Sequence, residues 1–182
     1  MTGDQTPGLR DRSLSMAFLP RLLRHNVFHD WAVRRSFGAQ AFTRIEQAIA
    51  DGEALHRAEV RFAVEGTLPP PAIWRRLDPR ERAIWVFSEF RIWDTEENVG
   101  ALIYLLAADH AVEIVVDRGL ARLVDGSLWQ RACEIIVGAV RAGRAADGVV
   151  AAVELINPEL ARILPAGGEH NPDELSNRPI RL

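Results

Sequence analysis

Residues 100–117 read GALIYLLAADHAVEIVVD, and the fold follows from them. Leu102 to Leu106 is an unbroken apolar run that contains Ile103 and Tyr104 and is too short for an independent helix. Such a run reads as a strand covered on both faces, hence a central one. A short turn at Asp109 and His110 separates it from a second β-branched run, Val112 to Val116. Two strands that close together can pair only as an antiparallel hairpin.

Upstream, residues 59–65 (EVRFAVE) alternate, with Val60, Phe62 and Val64 on one side and Glu59, Arg61 and Glu65 on the other. That is the period of a half-buried strand. Before it, Phe42, Ile45 and Ile49 fall at helical spacing between Ala39 and Asp51, and Gly52 stands where a C-terminal cap belongs. After it, Gly66 and Pro69 to Pro71 break regular structure. Asp78, Pro79 and Glu81 then supply an N-cap, a first-turn proline and a capping-box acid for a helix to about Trp93. Downstream, Ser127 and Gln130 mark a further capping box, with Ala132, Ile135, Ala139 and Val140 on one helix that Gly143 ends. Val149, Val153, Ile156 and Leu160 define a last helix from about Ala146. A helix between the first two strands makes them a parallel, right-handed crossover unit. The expected fold is therefore α/β, a three-layer α/β/α sandwich whose small mixed sheet combines that unit with the antiparallel hairpin.

The chain of 182 residues is 48% hydrophobic and 26% charged, the composition of one ordinary globular domain. A net charge of -3 points to no polyanionic partner, and no nucleic-acid binding is expected. The single cysteine, Cys133, forms no internal disulfide, and no run of about 20 apolar residues spans a membrane. The apolar residues between Met16 and Val33 are broken by Pro20, Arg21, Arg24, His25, His29 and Asp30, unlike a signal peptide. A cytoplasmic protein is expected. Residues 1–36 read as a partly helical, basic amphipathic arm, 37–164 as the α/β domain and 165–182 as a flexible tail. In the arm, residues 10–35 carry six arginines against two aspartates, interleaved with Phe18, Leu22, Leu23, Val27 and Trp31. Such a stretch packs on its own domain, or engages a protein partner or a membrane surface.

The linked pieces in residues 59–119, from EVRFAVEG through the Asn98–Gly100 turn, the strand it opens, the hairpin at Ala108 to His110 and the helix after Gly119, resemble the TPM-domain family, often labelled TPM phosphatase. Its founding members include thylakoid lumen repair proteins. The resemblance covers roughly residues 37–164. It implies a mixed α/β/α sandwich and, for some members, a divalent-metal-dependent acid phosphatase activity or calcium binding. Where members write Asn-Asn-Gly or Asp-Asn-Gly, this chain has Asn98, Val99 and Gly100.

Topology points to a candidate site without the family. A strand opening at Gly100 and an antiparallel partner closing at Asp117 bring Asp94, Glu96, Glu97, Asn98 and Asp117 to one edge. Carboxylates, an amide oxygen and loop carbonyls are the donors of hard cations, so Ca2+ or Mg2+ is the cofactor to expect there. Asp94, Glu96, Asn98 and Asp117 are the candidate ligands, with Arg118 and Gly100 orienting a phosphate ester for hydrolysis by metal-bound water. The other reading is a solvated acidic loop with Asp117 paired to Arg118 or Arg91. The opposite edge, with Glu65 and Asp109, is a second candidate because ligands favour the carboxyl ends of parallel strands; otherwise Asp109 is a hairpin turn and Glu65 faces water. His25 and His29, four apart, have the spacing of paired zinc ligands but no third ligand. Cys133 lacks the arginine and phosphate cradle of a cysteine phosphatase and reads as a buried small apolar residue. No GxxxxGK, GxGxxG or GxSxG occurs, so no nucleotide or organic cofactor is indicated. Trp74, Trp85, Trp93 and Trp129 read as packing groups near helix surfaces. Two functions follow as alternatives. One is divalent-metal binding with weak phosphatase activity at the acidic edge. The other is a non-catalytic interaction module using the arm or the Leu68–Pro71 segment.

Overall fold

A computed structural model of the chain describes His25, Val33 and residues 35–167 and 174–182. The elements in chain order are α1 (Ala39–Glu53), β1 (Glu59–Glu65), α2 (Pro70–Trp74), α3 (Pro79–Glu89), β2 (Gly100–Leu106), a 3-10 turn (Ala107–Asp109), β3 (Ala111–Val116), α4 (Arg118–Leu123), α5 (Gly126–Arg141), α6 (Ala145–Ile163) and β4 (Ile180–Arg181). The sheet order is β3-β2-β1-β4. β1 pairs parallel with β2, Glu59 opposite Gly100 and Glu65 opposite Leu106, and β2 pairs antiparallel with β3. The crossover unit and the hairpin are thus as the sequence predicts.

Every residue of β2 is buried. Alternate side chains face opposite layers, as the strand period requires. Ala101, Ile103 and Leu105 join Val60, Phe62 and Val64 in a large core with α1, α5 and α6. Leu102, Tyr104 and Leu106 join Ile73 of α2 and Ala83, Val86 and Phe87 of α3 in a smaller one. No helix among the described residues is long and apolar enough to cross a membrane.

Helix starts follow local chemistry. Asp78 forms the full capping box with Glu81 that starts α3. α5 is capped by Asp125, which accepts from the Ser127 amide, rather than by Ser127 itself; an aspartate two residues earlier is an equally good cap. Pro70 and Pro71 do not break structure: they open α2, where a missing N–H is no loss. Gly143, at φ 71°, ends α5 as expected.

Three expectations are corrected by the C-terminal segment and the packing beside it. The tail from Pro165 is tied to the domain where it is described. The Ala166 amide donates to the Leu55 carbonyl, and Ile180 and Arg181 form β4, parallel to β1 opposite Ala63 and Val64. β1 is consequently buried almost throughout instead of half-exposed. The Glu59 carboxylate accepts from the amides of Glu174 and Leu175, and Arg61 donates to the Ser176 carbonyl. Thus Glu59 and Arg61, on the polar side of β1, face the tail's backbone. Gly52 lies inside α1, not at its cap. Its absent Cβ makes room for Asn157 of α6, whose amide atoms stand 2.3–2.4 Å from where a Cβ would sit. The Asn157 side chain donates to the Ala48 carbonyl at 3.1 Å and lies 3.4 Å from His56 Nε2. His56 donates from Nδ1 to the Ala58 carbonyl at 3.0 Å, and burial holds its pKa below the ordinary histidine range.

The two glycines test this packing. Gly52→Ala is expected to destabilise by about 2 kcal/mol, because displacing Asn157 strips a buried amide of its partners and outweighs the gain in helix propensity. Gly138→Ala on α5, where nothing stands within 4 Å of a new Cβ, should stabilise by up to about 1 kcal/mol. Urea unfolding of both variants reads the difference in sign.

Candidate functional site

At the end where β1 and β2 begin, the chain makes a tight knot. Thr95, buried, accepts the Val99 amide on its hydroxyl at 2.9 Å and the Asn98 amide on its carbonyl at 3.2 Å. Asn98 closes the turn in the left-handed region, at φ 58°, which its short polar side chain tolerates. Its carbonyl accepts the Gly119 amide at 3.0 Å, and the Asp117 amide donates to the Gly100 carbonyl at 2.9 Å. Two glycines permit the approach. A Cβ on Gly100 would lie 1.9 Å from the Ile92 carbonyl oxygen, and one on Gly119 would lie 2.4 Å from the Asn98 carbonyl oxygen and 2.8 Å from that of Glu97. Val99, the departure from the family's polar turn, is buried in the larger core, so its side chain serves packing.

Asn98, Gly100, Asp117 and Arg118 are therefore brought together. Asp117 is the N-cap of α4: Oδ1 accepts the Arg118 amide at 2.6 Å. Its Oδ2 is buried and has no hydrogen-bond partner among the described residues. Arg118 is largely exposed, with Nε 4.0 Å from Asp117 Oδ1. The acidic loop is spread out by contrast. Asp94 is exposed, 4.0 Å from Arg91, and Glu97 is held by Arg57 at 2.5 Å. Glu96 meets the edge through its backbone, its amide donating to the Glu174 carboxylate at 3.0 Å. Among the described residues, no three His, Cys, Asp or Glu side chains form a group able to hold a metal ion. Glu174 and Arg57 are the edge residues that the sequence reading missed. Glu174 sits in an aperiodic polar tail, where only the closure of β4 onto β1 places it.

The other end is a buried polar network. Glu65 does not face water: it accepts from Arg82 Nε at 2.8 Å and Nη2 at 3.0 Å, and from the Tyr104 hydroxyl at 2.6 Å. The hydrogen bond to Glu65 raises the Arg82 pKa, and burial, followed by the Glu65 charge, pushes the Tyr104 hydroxyl far up. Guanidinium and phenol thus hold their ordinary charges, and the three side chains satisfy one another. Asp109 lies in the 3-10 turn, 3.2 Å from Nε2 of His25, a fully buried ring. His25 Nδ1 accepts the Leu68 amide at 3.1 Å, which leaves the proton of a neutral ring on Nε2, facing Asp109. His25 is engaged there; its proposed zinc partner His29, and most of the arm over residues 10–35, lie outside the described residues. Leu68 of the proline-rich segment is itself buried.

Cys133 is half-buried against the core, and burial pushes its thiol up to about 11, so it stays protonated and unreactive. Trp129 packs as expected, but Trp74, Trp85 and Trp93 do not: they are 67%, 55% and 48% exposed, on or just after α2 and α3, the thinner layer. Short helices spend their inward positions on Ile73, Ala83, Val86 and Phe87 and leave these rings outside.

Mixed sheet, helices on both faces and a glycine-pinched turn opening the central strand define an α/β sandwich of one class. A family model described as the TPM domain matches residues 36–158, more than half the chain. The chain belongs to the TPM domain family. It is similar to the NMR structure of the BA42 protein from the psychrophilic bacterium Bizionia argentinensis, with a TM-score of 0.70 and 26% identity. That likeness covers 79% of this chain and 94% of that one. No curated protein matches.

The Glu65 network predicts a graded loss. Glu65→Ala leaves Arg82 without its carboxylate and should cost about 3 kcal/mol. Tyr104→Phe removes one hydrogen bond to a charged acceptor and should cost about 1.5 kcal/mol. Urea denaturation with unchanged slope is the measure of both.

Proposed function

We propose that this TPM domain binds a divalent cation, calcium or magnesium, at the end of the sheet where β2 opens. The observation that supports this is the buried, unpartnered Oδ2 of Asp117. An ionised carboxylate oxygen shielded from water and from donors is costly, and a cation removes that cost. The donor chemistry fits a hard ion. Asp117 is an anionic oxygen, and the carbonyls of Glu97 and Asn98 come close to the same helix start at Gly119. Asp117 with Asn98 is the core of the proposed set. Asp94 and Glu96 are its outer members, adding negative field from exposed positions. A site with one inner carboxylate and carbonyl oxygens resembles weak, hydrated Ca2+ or Mg2+ sites more than a tight cage.

A bound ion supplies Lewis acidity toward phosphoryl oxygens. Arg118, exposed beside Asp117, supplies a guanidinium for the remaining charge of a phosphate monoester. Leaving-group protonation is left to solvent. Weak phosphomonoester hydrolysis is the activity this arrangement supports.

Asp117→Asn separates the two roles of the residue, because asparagine keeps the N-cap and loses the charge. At about ten times its Kd, calcium or magnesium stabilises the wild type by about 1.4 kcal/mol. For a domain of this size that raises Tm by about 4 °C. The rise should be absent in Asp117→Asn and reversed in the wild type by chelator. A wild-type Tm that does not respond to either ion at millimolar concentration contradicts the proposal.

A further inference from the structure

The carboxyl end of β2 opens into a cavity at the other end of the strand from the proposed cation site. Its volume is about 340 Å3, within the range of small-molecule pockets. Val33, Phe37, Leu105 and Val140 give it apolar walls, and Arg35, Ser36 and His110 are its polar lining. A second cleft of about 310 Å3 shares Arg35 and Ser36 with it and continues past Arg44 and Arg144. An apolar chamber therefore runs into a mouth with three arginines.

The charge of that mouth is not balanced locally. Arg44 is paired with Asp147 at 2.8 Å. Arg35 and Arg144 are exposed and have no acidic partner among the described residues. They lie on different elements, Arg35 just before α1 and Arg144 in the α5–α6 turn, and meet only because both border the same cleft. In a chain of net charge -3, two uncompensated guanidiniums beside an apolar chamber are a specific complement to an anion with a hydrocarbon body. Ala145 and Ala146 in the first turn of α6 line the same cleft, and their end of the helix adds a favourable field for negative charge. The site also stands at the carboxyl end of the parallel pair, where open α/β sheets place their ligands.

We propose that this cavity binds a medium-chain monocarboxylate, its hydrocarbon body against Val33, Phe37, Leu105 and Val140 and its carboxylate between Arg35 and Arg144. The arginines select the anion and the chamber selects the chain, so neither part alone binds well. The site works independently of any ion at the opposite end of the sheet.

Titration of the full chain with octanoate, octanol and acetate, followed by amide chemical shifts and Tm, tests this. Octanoate should perturb Leu105, Ala107 and Val140 and bind at least tenfold tighter than octanol, and acetate should leave these amides unmoved. Arg35→Gln should bring octanoate down to the level of octanol, whereas Val140→Phe, which fills the chamber, should abolish binding of both. Chelator should change none of this. The proposal is overturned if octanoate binds no tighter than octanol, if both folded variants bind as wild type does, or if the perturbed amides lie elsewhere.

Discussion

The fold depends on one constraint: β2 has no polar side chain except a tyrosine and must be covered on both faces. Water on either side of Leu102 to Leu106 would expose large apolar surface, at roughly 25 cal/mol per Å2. The chain meets the demand unequally. The face of Ile103 and Leu105 receives three long helices, α1, α5 and α6, and the face of Leu102, Tyr104 and Leu106 receives the short α2 and α3. The thin layer leaves β1 incompletely covered, and the C-terminal segment closes the gap as β4.

Burying β1 on both faces traps the polar groups that its alternating sequence carries. Each is answered individually: Glu59 by tail amides, Arg61 by a tail carbonyl, and Glu65 by Arg82 and Tyr104. Most of the buried charge is thus structural, which is why Glu65, despite standing at the carboxyl end of the parallel pair, is committed to Arg82 and Tyr104. Asp117 Oδ2 differs because the turn that positions it gives it no donor. The contrast between satisfied and unsatisfied carboxylates, rather than the density of acids, separates the two ends of the sheet.

Elements with strong local signals were legible in the sequence. The apolar run of β2, the capping box at Asp78 and Glu81, and the hairpin turn at Asp109 and His110 all formed as read, because each is decided within a few residues. What escaped was decided by distant chain. Nothing in residues 174–182 announces a strand, since a two-residue strand has no period, and β4 exists because β1 presents an edge. The same closure brings Glu174 to Glu96 and buries Glu59. Gly52 looked like a cap because a glycine near a helix end is ambiguous until its neighbour, here Asn157, is known. At the candidate site the backbone brings Asn98, Gly100, Asp117 and Arg118 near one another, whereas Asp94 and Glu97 turn toward arginines, which the sequence could not show.

The doubly covered β1–β2 ladder is the element around which both ends of the molecule are organised. Native-state hydrogen exchange tests it directly, because amides in the last unit to open exchange only through global unfolding. The amides of Phe62, Val64 and Leu102 to Leu105 are predicted to exchange at that limit, with the free energy measured by denaturant and later than those of α2 and α3. Exchange of the β2 amides ahead of the α5 amides would contradict the account, since the helices would then hold together without the strand they are said to cover.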